Sequence, residues 1–286
     1  MLTGTTSLLL HIGWPTHSFK APMIYNPWFE SREIDAMVVP LGVKAPEFAA
    51  AFPALMKSGN VRGALVTMPH KVAVLDLVDE VRPSAAVAGA ANAVAVEADG
   101  RLVADMFDGA GFVGGMRTGG HDPRGDSALV VGCGGVGSAI AASLAAAGVA
   151  ELGLFDTRVE AMEGLAERLA AHYPELRITT GHRDPAGFGI VVNGTPLGMN
   201  PGDPMPVDVD RLAPGAFVGE VVMTEHVTPF LAAARARGCA TQLGVDMLFE
   251  QIPAYLEFFG WEPPTAAELR SLARIPGLEA VVGGRG

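Results

Sequence analysis

Cysteine and long apolar runs are scarce in this chain of 286 residues. Its two cysteines, Cys133 and Cys239, are far apart and lack the spacing of a metal site, which predicts free thiols in a reducing compartment. Apolar runs fall short of the roughly 18 residues that span a bilayer, and Leu8-Leu9-Leu10 is too short for the core of a signal peptide. We therefore expect a cytoplasmic protein without a membrane partner or a metal site.

Basic residues are also few, with 20 lysines and arginines against 31 acidic residues and a formal net charge of −11. Nucleic-acid binding would need a basic patch, so this balance argues against it. Hydrophobic residues make up 49% and charged residues 18%, which is typical of a globular protein. The length favours two domains. We expect a small-molecule substrate and a monomer or homodimer.

Apolar runs alternate with helical patterns along most of the chain. Strands are predicted at 6–11, 36–41, 63–67, 128–131, 152–155, 190–193, 217–222 and 240–243. Helices are predicted at 22–31, at 45–57, from about residue 70 onward, from a glycine-rich turn after residue 131 to about residue 147, at 228–237, and from 247 onward. Pro253 is expected to kink or end the last of these. This alternation predicts α/β architecture with largely parallel sheets. An Asp-Gly pair at 99–100 predicts a hairpin between 93–97 and 102–106.

A Gly-x-Gly-x-x-Gly pattern follows the strand at 128–131 and opens a helix. Gly132 would permit the tight turn, Gly134 the approach of a pyrophosphate, and Gly137 close packing of helix on strand. The first helical residues, Gly135 and Val136, would offer N–H groups to the phosphates. A purely structural turn is the alternative in a chain with 36 glycines.

Asp156 lies 24 residues after Gly132, where the next strand ends. A carboxylate there can accept hydrogen bonds from the adenosine ribose, and it would repel a 2′-phosphate, so NAD is favoured over NADP. The same side chain could also cap the helix that begins near Arg158, and both roles can hold together.

Lys71 is one of four lysines; taken alone, it would be a surface charge and Asp108 a turn residue. Both residues nevertheless lie in short motifs, and further motifs follow them along the chain in a fixed order. These are Val-Thr-x-Pro-His-Lys at 66–71, Gly-Ala-x-Asn at 89–92, Asp-Gly-x-Gly-Phe at 108–112, and the segments 193–199, 228–229 and 244–251. With these motifs in register, the chain resembles the shikimate dehydrogenase family over nearly its whole length.

The resemblance implies an N-terminal α/β substrate-binding domain at 1–112, a Rossmann-type dinucleotide-binding domain at 113–244, and C-terminal helices at 245–286 that return to the first domain. It implies Lys71 and Asp108 as the catalytic pair. The implied substrate-binding positions are Phe19, Ala21, Thr67, Asn92 and Gln251. The further implied cofactor contacts are Thr157, Arg158, Asn193, Thr195, Pro196, Val222, Gly244 and Met247.

This pair suits the oxidation of an alcohol by hydride transfer, in which the hydroxyl proton must leave. A lysine can take or relay that proton, and a neighbouring aspartate can orient the lysine and the hydroxyl. Because the nicotinamide carries the redox chemistry, no metal is needed.

The chain departs from the family where the family binds the substrate carboxylate. Two serines are replaced by Phe19 and Ala21, an asparagine by Leu65, and a tyrosine by Met223; nearby, Glu220 stands for an aspartate. An unpaired carboxylate is costly to bury, so we expect shikimate, quinate or a less polar cyclic analogue, unless Lys20 restores an ionic contact.

The cofactor segment departs as well. Where the family's NADP-binding members read Asn-Arg-Thr, this chain reads Asp156-Thr157-Arg158, which again favours NAD. Two alternatives stay open: an NAD-binding sensory or regulatory protein with little turnover, and an enzyme for a tetrahydrofolate or amino-acid substrate.

Overall fold

The computed structural model describes residues 3–223 and 227–276. The first half contains β1 (Ser7–Gly13), α1 (Pro22–Ser31), β2 (Ala36–Gly42), α2 (Ala45–Met56), β3 (Val61–Val66), β4 (Glu80–Val81), α3 (Pro83–Ala88), β5 (Ala93–Val96), β6 (Leu102–Asp105) and α4 (Asp108–Thr118). The second contains β7 (Ser127–Val131), α5 (Gly135–Ala147), β8 (Glu151–Phe155), α6 (Val159–His172), β9 (Arg177–Thr180), β10 (Ile190–Asn193), β11 (Phe217–Glu220), α7 (Pro229–Ala236), β12 (Ala240–Gln242), α8 (Gly244–Phe258) and α9 (Ala266–Leu272). The predicted α/β class is confirmed.

The chain divides into two compact units. One runs to Phe107 and includes Ile252–Pro276, and the other covers Asp108–Gln251. The domain boundaries expected from the sequence, near 112 and 245, stay a prediction.

The first unit is built on a sheet of strand order β2-β1-β3-β5-β6-β4 within the described residues. Strands β1, β2 and β3 are parallel, but β5 is antiparallel to both β3 and β6. Strand β4 is parallel to β6, so the sheet is rich in parallel pairs as predicted, and β5 of the predicted hairpin is the antiparallel exception among the described strands. The five residues between β5 and β6 are too few for a parallel crossover, so these strands must pair as the predicted hairpin.

The second unit is built on a parallel sheet of order β12-β11-β10-β7-β8-β9 within the described residues. The chain moves outward from β7 through β8 to β9 and then crosses to β10 on the other side. The gap between β7 and β10 is thus the point where the strand order reverses, which is where open α/β sheets bind ligands. Buried side chains such as Leu129, Val191 and Val218 form the core beside it.

Two local predictions differ from the structure. The helix expected from about His70 is a short 3-10 helix at Ala73–Leu77, and the strand expected to reach Val222 ends at Glu220. Pro253 is not a helix boundary, because α8 continues through it, and the kink stays a prediction. The buried residues Phe249, Ile252 and Leu256 flank this proline. Their burial stabilises the helix and outweighs the backbone hydrogen bond that proline cannot make.

Candidate active site

The glycine pattern forms a tight turn after β7. Gly132 has a φ of +100°, and a Cβ there would meet the Thr195 methyl group at 2.7 Å. A Cβ on Gly137 would overlap the Gly132 carbonyl oxygen, whereas one on Gly134 would meet only the Arg158 guanidinium at 3.7 Å. Helix α5 begins with Gly135 and Val136 and has no side-chain cap at its N-terminus. These residues fit a pyrophosphate group, since the turn is open on one side and the helix N-terminus favours anions.

Asp156 is held against this turn by two backbone N–H groups. Its carboxylate accepts from the N–H of Cys133 at 2.7 Å and of Arg158 at 2.8 Å. Burial acts to raise its pKa, but the hydrogen bonds from Arg158 and Cys133 outweigh burial and hold the pKa below the ordinary value. The N-cap of α6 is Arg158 itself, so Asp156 does not occupy the capping position. Thr157, between them, is exposed.

The loop that follows β10 is fixed by its own side chains. Asn193 Oδ1 accepts from the Thr195 hydroxyl at 2.6 Å and from its N–H at 3.1 Å, while Asn193 Nδ2 donates to the Leu197 carbonyl at 2.9 Å. Pro196 stands exposed between the bonded residues. Since Thr195 also packs against Gly132, this loop and the glycine turn lie side by side.

Beyond β11, Val222 and Gly244 lie against each other, because a Cβ on Gly244 would stand 2.5 Å from the Val222 carbonyl oxygen. Met247, on α8, is buried. Glu220 is also buried and accepts the Thr228 hydroxyl at 2.9 Å. Burial raises the pKa of Glu220 to about 7. In the sequence, Glu220 stands out only as a departure from the family pattern, and its raised pKa could not be predicted from the sequence.

In the first unit, three predicted site residues lie together where β3 ends. The Thr67 N–H donates to the Ile12 carbonyl at 2.9 Å, and the Lys71 carbonyl accepts the Ala91 N–H at 2.7 Å. Asn92 Oδ1 accepts the Phe107 N–H at 3.0 Å, whereas its buried Nδ2 has no hydrogen-bond partner among the described residues. The structure therefore joins the Lys71 segment to the Asn92 turn and leaves a polar group of Asn92 available to a ligand.

His70 was not predicted as a site residue, yet it anchors the lysine segment. It is buried, its Nε2 lies 2.7 Å from the Val43 carbonyl oxygen, and its ring stacks on Phe48 with centroids 3.9 Å apart. The residue next to Lys71 is thus held by both a hydrogen bond and a stacking contact.

At the end of β1, the ring of Phe19 stacks on that of His11. His11, like His70, was not predicted as a site residue from the sequence. Burial, with a smaller effect from the positive charge of Lys71, lowers the pKa of His11 to about 4. Ala21 is buried, and its carbonyl accepts the Tyr25 N–H in the first turn of α1. Leu65 is buried directly across the sheet from His11.

The second unit contains the two remaining residues that were predicted for catalysis or substrate binding, Asp108 and Gln251. Asp108 is buried as the first residue of α4. Gln251 is buried on α8, and its Oε1 has no hydrogen-bond partner among the described residues. A Cβ on Gly111 would stand 2.6 Å from the Gln251 Cβ, so α4 and α8 pack closely here. Met223 is 43% exposed.

Two absences concern the described residues alone. Within 3–223 and 227–276, no helix is both long and apolar enough to cross a membrane. In those same ranges, no group of three or more His, Cys, Asp or Glu side chains could hold a metal ion. Cys133 is no nucleophile at neutral pH, because burial and the charge of Asp156 raise its pKa to about 12.

Sequence comparisons relate the chain to known proteins over most of its length. The family model for the shikimate dehydrogenase substrate binding domain matches residues 12–94. The shikimate dehydrogenase (NADP(+)) of Paracoccus denitrificans (strain Pd 1222) is 38% identical over 263 residues, 91% of this chain and 93% of that protein. The corresponding protein of Rubrobacter xylanophilus (strain DSM 9941) is 36% identical over 277 residues, 95% and 97% of the two chains.

Solved structures give the same relationship. Shikimate 5-dehydrogenase from Listeria monocytogenes, in complex with shikimate and NAD, has a TM-score of 0.86 at 26% identity, covering 95% of this chain and 97% of that one. Quinate dehydrogenase from Corynebacterium glutamicum, in complex with NAD, scores 0.81 at 30% identity with 93% and 98% covered. The 5-ketofructose reductase of Gluconobacter sp. strain CHM43 scores 0.84 at 27% identity with 94% and 98% covered.

Proposed function

This chain belongs to the shikimate dehydrogenase family, and from that premise we propose that Lys71 and Asp108 are its catalytic pair and that NAD is its preferred cofactor. It is a shikimate/quinate-type oxidoreductase that acts on a CH–OH group with a nicotinamide dinucleotide. The comparisons give no support to the alternative of a sensory protein with little turnover.

The observation that carries the catalytic proposal is the bonded arrangement at the end of β3. The Lys71 backbone is hydrogen-bonded to Ala91, next to Asn92, and the amide nitrogen of Asn92 has no hydrogen-bond partner within the part of the chain that the structure describes. A substrate hydroxyl bound by the Asn92 amide could give its proton to a lysine on the segment that is bonded to the same turn. Asp108 follows directly after Phe107, whose N–H Asn92 binds, and we assign Asp108 the orientation of the lysine and the hydroxyl.

The cofactor would lie on the second unit, with its pyrophosphate at the turn from Gly132 to Gly137 and its adenosine ribose at Asp156. The bound nicotinamide would supply the hydride donor or acceptor for the substrate carbon. The loop from Asn193 to Leu197 and the Val222–Gly244 contact would hold the rest of the cofactor. The preference for NAD rests on the fixed negative charge of Asp156, although the names of both sequence relatives specify NADP(+).

The substrate is proposed to be less polar than shikimate at the position of the carboxylate. Phe19, Ala21 and Leu65 offer no hydrogen bond from their side chains there. The family fold accommodates such chemistry, because the Gluconobacter neighbour is named a reductase of a keto sugar.

Replacement of Lys71 by alanine tests the catalytic proposal. Lys71→Ala should lower turnover by about a hundredfold or more, as the loss of a positioned acid or base usually does. Dinucleotide affinity should stay nearly unchanged, because Lys71 is assigned to the substrate side. Steady-state kinetics and fluorescence titration with NAD measure the two effects.

Lys57→Ala is the matched control, since Lys57 is an exposed lysine of the same unit. It should behave like the unmodified enzyme in both measurements. Near-normal turnover of Lys71→Ala on the best substrate would remove Lys71 from the mechanism.

A further inference from the structure

Glu220, Asn193 and Thr228 form a buried polar cluster at the carboxyl ends of β10 and β11. Asn193 and Glu220 are the last residues of these parallel strands and pair directly across the sheet. Thr228, which caps α7, donates its hydroxyl to the Glu220 carboxyl group, whose two oxygens lie 2.9 and 3.0 Å away. The Asn193 side chain donates to the same carboxyl group. Each of the three residues is at most 3% exposed, and shielding from water strengthens such hydrogen bonds.

The cluster holds both ends of the loop at 193–199. At the first end, the Asn193 side chain also hydrogen-bonds two further loop residues. Near the other end, Gly198 lies against Thr228, because a Cβ on Gly198 would stand 3.5 Å from the Thr228 Cγ2 atom. Glu220 is the acceptor that Asn193 and Thr228 share, so one carboxyl group connects the two ends of the loop.

The place of this loop in the sheet indicates which part of a dinucleotide it meets. Strand β7 precedes the glycine turn proposed for the pyrophosphate, and its neighbours are β8 on one side and β10 on the other. Asp156, proposed for the adenosine ribose, directly follows β8, so the adenosine half would extend over β8. The remaining half, which includes the nicotinamide, would extend the opposite way, over β10 and the loop at 193–199.

We propose that Glu220 is a positioning residue for the nicotinamide half of the cofactor: through Asn193 and Thr228 it holds the loop at 193–199 in the conformation that binds this half. The inference rests on the proposed dehydrogenase function and adds to it a residue that acts only through its neighbours. A loop that is already ordered binds a ligand more tightly, because less binding energy is used to restrict it. An apolar side chain at 220 would leave two buried donors without their shared acceptor.

Paired calorimetric titrations with a whole dinucleotide and with its adenosine half test this role. The probes are NAD and ADP, or NADP and adenosine 2′,5′-bisphosphate if the protein binds NADP more tightly. Glu220→Leu should raise the Kd of the dinucleotide by about fivefold to tenfold and leave that of the adenosine fragment within about twofold, because only the nicotinamide half must then order the loop. Glu220→Gln should recover most of the loss, since its amide oxygen can still accept the Thr228 hydroxyl.

Thr228→Val provides a second variant, which removes the hydroxyl from the cluster but keeps a branched side chain against Gly198. It should also weaken dinucleotide binding selectively, and it gives the same comparison if Glu220→Leu does not fold. Because Thr228→Val removes the cap of α7 as well, the control is Thr265→Val, which removes the threonine cap of α9 in the other unit. This control should leave both titrations unchanged. Circular dichroism melting would verify that each variant is folded.

Equal weakening of both ligands in Glu220→Leu would mean a general structural role and would overturn the proposal, as would unchanged dinucleotide binding. The titrations need no turnover, so they separate this inference from the proposed function. If the unmodified enzyme oxidises no alcohol with NAD or NADP, the dehydrogenase assignment fails, yet a selective loss of dinucleotide binding in Glu220→Leu would still support the positioning role. An unmodified protein that binds neither dinucleotide would overturn both.

Discussion

A carboxylate that accepts two backbone N–H bonds is a fixed negative charge, and Asp156 is such a group beside the glycine turn. The unmodified enzyme should therefore show a higher kcat/KM with NAD than with NADP. Asp156→Ser combined with Thr157→Arg should raise NADP use, because it removes repulsion and adds a phosphate partner. Kinetics with both cofactors measure the change, and comparable specificity constants in the unmodified protein would contradict the ribose argument.

Arg158 gives this experiment an internal check. Its guanidinium lies 3.4 Å from the Asp156 carboxylate, so Asp156→Ser alone should free it for a 2′-phosphate and raise NADP use modestly. Adding Arg158→Ala should reverse that gain. Asp210→Ser, which changes an exposed aspartate of the same unit, should leave cofactor choice unchanged.

Burial of Glu220 links the stability of the fold to pH. Its pKa is about 7 in the folded protein, against an ordinary value of 4.5 for a glutamate side chain. The stability that its protonated form contributes is thus fully present below pH 4.5 and is lost as pH rises through 7. Glu220→Gln keeps the acceptor for Thr228 and should remove this loss. The difference in free energy of unfolding between Glu220→Gln and the unmodified protein should therefore grow by about 1–3 kcal/mol in favour of the variant from pH 5 to pH 8.

Urea unfolding midpoints at the two pH values measure the Glu220 effect. Glu257→Gln, at an exposed position on α8, is the control and should show little difference. A Glu220→Gln variant whose stability follows pH as the unmodified protein does would rule out Glu220 as the titrating group.

At the scale of helices and strands, the sequence was most informative where a turn residue marks the boundary. The hairpin around Asp99-Gly100 and the start of α1 at Pro22 match the structure, as does the end of α5 at Ala147. Strand β4 has only two residues, and α3 has six. Segments this short carry too little periodicity to be distinguished from loops, and neither was predicted.

Close approach of helices depends on glycines that the sequence did not single out for packing. A Cβ on Gly109 of α4 would overlap the Ala139 carbonyl oxygen of α5. Gly109→Ala should therefore destabilise the protein by about 1–3 kcal/mol, as overpacking in a core does. Gly59→Ala, where a Cβ would meet nothing within 4 Å, should be nearly neutral. Equal denaturation midpoints for the two variants would show that α4 and α5 shift apart at little cost.

At the scale of the whole molecule, the tight glycine turn after β7 could be predicted because its glycines and strand–helix context are local in sequence. The surroundings of His11 could not be predicted from the sequence, where it is one polar residue inside the apolar run from Leu8 to Ile12. They depend on Phe19 and Leu65, which fold against it from other segments. Glu220 is similar, since its titration depends on burial that only the folded sheet provides.

Cofactor binding should stabilise the folded molecule in a way that separates affinity from catalysis. Although the chain carries a net charge of −11, the turn and the N-terminus of α5 present a local positive potential to phosphates. NAD at a hundred times its Kd should add about 2.7 kcal/mol to the free energy of unfolding, which raises the unfolding temperature by roughly 5–10 °C for a unit of this size.

Scanning calorimetry should find the same shift in Lys71→Ala, because Lys71 is assigned to the substrate. Gly137→Val should lose the shift, since its side chain would collide with the Gly132 carbonyl and distort the turn. A full shift in Gly137→Val, or none in the unmodified protein with either dinucleotide, would place the cofactor elsewhere.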